Sequence, residues 1–276
     1  MQSQSDMPTA DWMKTIPSEQ KIGIVVPLYG YWSDLSSDQL DWETLSAFLA
    51  NLNSKNLKCY TVFTSEIARA SRNVQNVLLG RSKGGGMEVV DMDRYSTYGD
   101  YVHDGIEYLL ENTDCQFIVV ANPWVMLRKN SVDQLAEKLN MSSSNLVCGV
   151  DLRTLKWGTM DGIPADQFDS FNFNPPMDAE NKEFNPDFWG MTRQVAQILK
   201  IDTDYKTVFY QSPDIWGSLF TMGLGVIASQ FLPYWSFDID WKAIESKEAF
   251  EDDKKKFTEK WRFVPDNLVD YDKLKT

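Results

Sequence analysis

The stretch IGIVVPLYG, residues 22–30, decides the fold: a charge-free run built on Ile22, Ile24, Val25 and Val26 is broken by Pro27-Leu28-Tyr29-Gly30. Apolar residues at consecutive rather than alternating positions mark a strand buried on both faces. That is the habit of parallel sheets covered by helices. Similar runs recur downstream at Leu57–Phe63, Met87–Val90, Phe117–Ala121 and Leu146–Val150. Helical patterns fill the gaps at Asp38–Leu52, Ser65–Leu79, Tyr101–Asn112 and Ser131–Leu139. The first has Leu40, Leu45, Phe48, Leu49 and Leu52 near helical spacing, and Ser37 suits its N-cap. Alternation of this kind predicts an α/β fold, a Rossmann-like, mostly parallel sheet with right-handed crossovers and helices on both faces.

Open parallel sheets bind ligands at the carboxyl ends of their strands. The residues there are Pro27 to Gly30, Thr64-Ser65-Glu66, Asp91-Met92-Asp93 and Asn122-Pro123-Trp124, a polar and aromatic set. Gly84-Gly85-Gly86 precedes a strand instead of following one, so it reads as a plain turn and not as a phosphate loop.

Beyond Val150 the pattern gives way to a long stretch rich in Asp, Asn, Pro and Phe, including FDSFNFNPP and FNPDFWG, of the kind that carries function when ordered. A helix over Thr192–Leu199, a strand-like run around Val208 and a weakly charged segment from Gly217 to Trp235 follow. Gly223, Gly225, Gln230 and Pro233 argue against a membrane span in that segment, and a buried hairpin or helix pair is expected. The chain divides into a lead-in over 1–20, one α/β domain over 21–235 and a charged C-terminal helical extension over 236–276.

With 40 acidic against 27 basic residues, the net charge of −13 repels phosphate backbones and makes nucleic acid an unsuitable partner. Cys59, Cys115 and Cys148 lack metal-ligand spacing and read as reduced, buried hydrophobes. A cytoplasmic setting is the default for such cysteines, and the first residues lack the pattern of a signal peptide. Peripheral membrane association through a local basic patch stays open.

Four segments taken together resemble the family-2 glycosyltransferases of the GT-A fold, especially rhamnosyltransferase-like members. IGIVVPLYG is similar to their opening strand and Pro-x-Tyr-Asn turn, with Gly30 at the Asn. YGDYVHDGIEYLL resembles their Gly-rich segment, with Gly99 at its start, His103 in place of an Asn and Gly105 retained. FIVVANPWVML resembles the metal-loop strand, with Asn122 and Pro123 matching and Trp124 replacing the expected Asp. Pro213-Asp214 followed by Gly225-Val226-Ile227 resembles the Glu-Asp motif and its downstream turn.

The resemblance implies a nucleotide-sugar donor, a glycan or lipid-linked acceptor and a role in polysaccharide biosynthesis. It also implies inverting transfer with Asp214 as the carboxylate base. Asp214 equally suits the cap of a helix starting near Ile215. Pro27, Tyr29, Gly30, Glu66, Asp93, Gly99, His103, Asn122 and Trp124 fall at donor-binding positions, while Trp189, Gly190 and Trp216 are candidates for the acceptor side.

A divalent cation, Mg or Mn, prefers oxygen ligands, and Trp124 supplies none, leaving Asn122 or Asp93 as the only candidates. Three outcomes follow for that loop: a weakly held ion, replacement of the metal by Arg or Lys, or a catalytically dead protein. Glu66 is read either as a nucleotide contact or as a carboxylate at a helix N-terminus. Arg69 and Arg72 are three apart on one helix face and read as partners for nearby acids. A non-catalytic GT-A-fold binding or scaffold protein that has lost the metal site is the alternative reading, supported by Trp124. A nucleotidyltransferase is disfavoured for want of a Gly-rich, basic loop after the first strand.

Overall fold

The computed structural model describes residues 22–30, 45, 48–49, 51–52, 58–68, 70, 72, 74–76, 78, 87–93, 95–141, 146–151, 186–236, 239–262 and 271–274. The lead-in, Arg69, Gly84-Gly85-Gly86, most of the 38–52 helix and the Phe-rich stretch up to residue 185 lie outside them.

Among the described residues, eight strands form one sheet in the order β3-β2-β1-β4-β7-β6-β8-β5. They are β1 (Ile22–Pro27), β2 (Cys59–Ser65), β3 (Met87–Asp91), β4 (Phe117–Ala121), β5 (Val125–Leu127), β6 (Leu146–Asp151), β7 (Phe188–Thr192) and β8 (Val226–Ser236). The helices that bear on the site are α1 (Tyr98–Asn112), α2 (Ser131–Met141), α3 (Arg193–Ile198), α4 (Val208–Thr221), α5 (Trp241–Ile244) and α6 (Lys247–Trp261). Strands β1 to β4 pair in parallel, as their unbroken apolar runs require. Every residue of β1 and β4 is buried.

Strand β7 runs against its neighbours β4 and β6, and β5 runs against β8. Neither β5 nor β7 follows from the sequence pattern. Three residues are too few to show a period, and FWGMT reads as the tail of a loop. Trp189 and Gly190, expected on the acceptor side, instead occupy the middle of β7. Trp189 is 1% exposed and Gly190 opposes Val119, so neither has a face open to a sugar. A Cβ on Gly190 would lie 3.0 Å from the Ile118 carbonyl oxygen and 3.1 Å from Leu135, which explains the glycine by strand and helix packing.

The strand-like run at Val208 is the first turn of α4. Its β-branched and aromatic residues favour strands locally, but the buried positions Val208, Gln211, Ile215 and Tyr210, Asp214, Gly217 recur at helical spacing, and tertiary burial wins. Pro213 sits inside that helix and removes one hydrogen-bond donor from it. The segment to Trp235, expected as a hairpin or helix pair, is the end of α4 followed by the long strand β8. Cys115 and Cys148 are buried free thiols, as expected, whereas Cys59 is only half-buried.

Helix α1 is held close on the sheet. Thr97 and Asp100 form a capping box at its start. At its other end the Arg193 guanidinium donates to the carbonyls of Thr113 (2.9 Å), Cys115 (3.2 Å) and Leu110, a cation at a helix C-terminus. A Cβ on Gly105 would meet Val25 at 2.4 Å, and one on Gly23 would meet Leu109 at 2.7 Å. Gly105→Ala therefore overpacks the α1–β1 contact and should cost about 1–3 kcal/mol. Urea denaturation checks this as a lower midpoint with an unchanged slope.

Candidate functional site

Four loops meet at the carboxyl ends of the parallel strands. After β1 the chain turns at Gly30, whose φ of 86° suits glycine, and this brings the Tyr29 ring against Tyr98 and Tyr101 of α1 at 5.9 and 5.4 Å. Glu66 follows β2 and is buried. Asp91 and Asp93, at the end of β3, are exposed, as is Tyr95 at 79%. The rim is thus open at β3 and closed over β1 and β4, where Tyr29 is 5%, Trp124 2% and Asn122 0% exposed.

The loop after β4 is fastened from within. Asn122 accepts from the Tyr98 hydroxyl at 2.8 Å and donates to the Asp187 carboxylate at 3.2 Å and to the Pro186 carbonyl at 3.3 Å. The Trp124 indole N–H donates to the same Asp187 oxygen at 2.8 Å. The second carboxylate oxygen of Asp187 accepts from Ser236 at 3.2 Å and, at a longer 3.5 Å, from Tyr234. Desolvation raises the Asp187 pKa above the usual carboxylate range, and nearby Asp151 pushes the same way, against the hydrogen bonds that lower it.

These residues do not fit a divalent cation. Trp124 offers no ligand atom, the Asn122 amide is spent on three internal bonds, and Asp93 caps its own turn by accepting from Tyr95 N at 2.9 Å. No group of three or more His, Cys, Asp or Glu side chains among the described residues could hold a metal ion.

Other candidates from the sequence fall into separate places. Gly99 lies where α1 meets α4, and a Cβ there would come within 2.5 Å of the Gln211 side chain. His103 is half-exposed on α1 and faces Asp104 at 3.0 Å. Trp216 lies on the outer face of α4, stacked with Phe220 at 5.9 Å and 17°.

Asp214 is fully buried between α4 and α6, where a single oxygen accepts from Lys260 at 2.7 Å, the Trp261 indole at 2.8 Å and the Tyr205 hydroxyl at 3.1 Å. Its second oxygen has no hydrogen-bond partner among the described residues. It is not a helix cap, because α4 starts six residues earlier, with Thr207 at its N-cap.

Two residues at the site were not anticipated. Asp187 stands in a quoted segment, FNPDFWG, and its position just before an apolar strand was the available signal. Glu245 had none, since it belongs to the charged C-terminal segment read as an outer helix. Its carboxylate accepts from Val208 N at 3.2 Å and is hydrogen-bonded to Tyr29, and Trp241, one helical turn earlier, sets its ring edge-on against Trp124 at 5.2 Å. Burial pushes the Glu245 pKa up to about 8, with Asp253 adding to the rise.

No protein-family model and no curated protein sequence matches the chain. Among solved structures it is similar to the mannosyltransferase PcManGT from Pyrobaculum calidifontis in complex with GDP-Man and Mn2+, with a TM-score of 0.56 at 10% identity over 90% of this chain. It is also similar to S. aureus TarS 1-349 in complex with UDP-GlcNAc, with a TM-score of 0.54 at 12% identity over 87% of this chain. The chain spans 66% of each of those two chains. It shares their α/β fold. No helix among the described residues is long and apolar enough to cross a membrane.

The Glu245 shift gives a signed prediction. In the folded chain the carboxyl keeps its proton up to about pH 8, whereas unfolded it ionises near 4.5, so the native state holds the extra proton between those values. The stability it contributes is complete below pH 4.5 and is lost as pH rises through 8. Glu245→Gln should flatten that decline between pH 5 and 9, read by denaturant titration at each pH.

Proposed function

We propose that this chain is a GT-A-type glycosyltransferase, moving a sugar from a nucleoside diphosphate to a hydroxyl on a glycan or lipid-linked acceptor in polysaccharide assembly. The observation that carries the reading is the sheet. Its fold is shared with two transferases bound to GDP-Man and UDP-GlcNAc, and Tyr29, Gly30, Glu66 and Asn122 follow the adjacent parallel strands β1, β2 and β4 at the same edge of the sheet. At the open rim, Asp93 and Tyr95 are accessible to a nucleoside beside Glu66.

Inverting transfer needs a carboxylate to take the acceptor proton as the anomeric C–O bond to the diphosphate breaks and the new glycosidic bond forms. Asp214 remains our candidate for that base. One of its oxygens is engaged by Lys260, Trp261 and Tyr205 and the other is buried with no hydrogen-bond partner among the described residues, so an acceptor hydroxyl reaches it only when the contact between α4 and α6 opens. Stabilisation of the leaving diphosphate falls to hydrogen-bond donors and positive side chains rather than to a cation at the Asn122 loop. Trp216, with its partly exposed ring on Phe220, is the aromatic candidate for an acceptor sugar.

A second reading, a binding or scaffold protein on the same fold, is favoured by the enclosure of Trp124 and its bond to Asp187. The two separate on turnover. Purified full-length chain given UDP-GlcNAc or GDP-Man, with Mn2+ or with chelator, should release the nucleoside diphosphate at a rate that chelation leaves unchanged. Asp214→Asn should lower it about 100-fold or more while binding persists. Lys260→Met removes the same ion pair and keeps the carboxylate, so a loss confined to Asp214→Asn is chemical and a shared loss is structural. Binding without turnover selects the scaffold, and absence of binding sinks both readings.

A further inference from the structure

The crevice over β1 and β4 is covered, among the described residues, by the C-terminal segment, and the contacts are specific. Trp241 presses edge-on against Trp124 at 5.2 Å and against Phe209 of α4 at 5.7 Å. Glu245 ties Tyr29 to the first turn of α4 through Val208 N. Both Tyr29 and Trp124 sit on strand-end loops, so one short segment bridges the two loops that a ligand in the crevice must touch.

The segment is fastened unevenly. Helix α5 has four residues, none of them fully buried; Asp240 caps its start, and buried Glu245 closes its end by donating its N–H to the Trp241 carbonyl at 2.7 Å. Helix α6, immediately after it, is anchored by buried Phe250 and Phe257. Its Asp253 accepts from Lys206 N at 3.0 Å, from Thr207 N at 2.7 Å and from the Thr207 hydroxyl at 2.7 Å, and its Lys260 pairs with Asp214. A short, weakly buried element beside a strongly held one opens locally without unfolding its neighbour.

We propose that Trp241 to Glu245 form a displaceable strap over the strand ends, and that a nucleoside diphosphate reaches Tyr29 and Trp124 only when the strap swings away about the junction at Ser246. The proposal rests on the nucleotide-sugar reading of that crevice. The exposed rim at Asp91, Asp93 and Tyr95 stays available with the strap closed, so a nucleoside can dock there first and its diphosphate then displace the strap. The groups facing the Glu245 latch are Tyr29 after β1, Tyr101 of α1 beside Tyr29, Val208 N of α4, Asp253 of α6 and the Tyr271 hydroxyl, which donates to the Glu245 carbonyl at 2.7 Å. None of these side chains is cationic. The two latch hydrogen bonds favour the ionised carboxyl, but burial outweighs them, so ionisation draws Glu245 toward water and the strap loosens as pH rises through about 8.

The test has a ligand-free arm and a nucleotide arm on the full chain. In the first, amide hydrogen exchange is followed in wild type, Trp241→Ala and Glu245→Gln. Trp241→Ala should speed exchange about tenfold at residues 28–30, 122 and 124 and leave α6 unchanged. From pH 7 to 9 the wild type should gain exchange at Val208 beyond the intrinsic base-catalysed increase, and Glu245→Gln should not. Unchanged exchange at both loops in Trp241→Ala overturns the strap. Should that variant fail to fold, the Val208 comparison between wild type and Glu245→Gln decides alone.

In the second arm, UDP and GDP are titrated calorimetrically. Trp241→Ala should bind one of them at least tenfold more tightly than wild type, and that nucleotide should raise exchange at 241–245 in the wild type. Equal or weaker binding by Trp241→Ala, with protection at 241–245, makes the segment a wall of the site and overturns the proposal. If no form binds either nucleotide, the nucleotide-sugar reading fails, and the ligand-free arm still judges the strap as a structural device.

Discussion

The carboxylate of Asp187 is the point on which the arrangement turns. For β7 to run antiparallel between β4 and β6, the chain must re-enter the sheet at the carboxyl ends of the parallel strands, and it does so at Pro186-Asp187. The Asp187 carbonyl takes Asn122 N at 2.8 Å, and its carboxylate gathers Asn122, Trp124 and Ser236, with Tyr234 at longer range. An enclosed carboxyl is tolerated only when hydrogen bonds replace its lost water. Here those donors come from both the loop after β4 and the strand β8, so satisfying one half-buried carboxylate fixes three parts of the sheet.

That fastening decides what the β4 loop can do. A loop that is to hold a hard cation must direct oxygen atoms outward into the crevice. This loop turns its amide inward to Tyr98, Pro186 and Asp187 and places an indole where an oxygen ligand would be needed. The substitution at residue 124 is therefore integrated rather than isolated, since the indole N–H has a carboxylate partner and its ring packs on Tyr98 and Trp241. Nor does Arg193 supply the missing positive charge, because its guanidinium is committed to carbonyls at the far end of α1.

The parallel half of the sheet was legible because strands such as IGIVVP and FIVVA are buried on both faces and carry their signal in composition alone; both boundaries match the structure to the residue. β7 was not, because its burial comes from lying between two strands far away in sequence, and FWGMT has no period of its own. The start of α4 misread as strand for a related reason: Val208, Phe209 and Tyr210 prefer strands locally, while the Asp253 carboxylate that secures the helix start lies on α6. Of the site, the strand-end loops could be found by counting strands. Glu245 could not, since nothing in a charged C-terminal stretch signals that one of its carboxyls turns inward onto Tyr29; Trp241 is legible as an apolar anchor of that stretch, but its partner Trp124 is not.

The excess of acidic residues also takes on a different meaning. Asp187, Asp214, Glu245 and Asp253 all face inward, and each accepts hydrogen bonds from backbone or side-chain donors of another element. Asp214 is paired with the Lys260 ammonium at 2.7 Å. For the others, fixed N–H and O–H dipoles do the work that a counter-ion would do, and desolvation raises their pKa values. Asp187, Glu245 and Asp253 thereby hold the β4 loop, α4 and α6 in place, and among the described residues the carboxylates at the open rim are Asp91 and Asp93. Those two precede α1, whose N-terminal dipole favours anions over the same region, so the field at the rim is set by a balance of the two and not by the charge total.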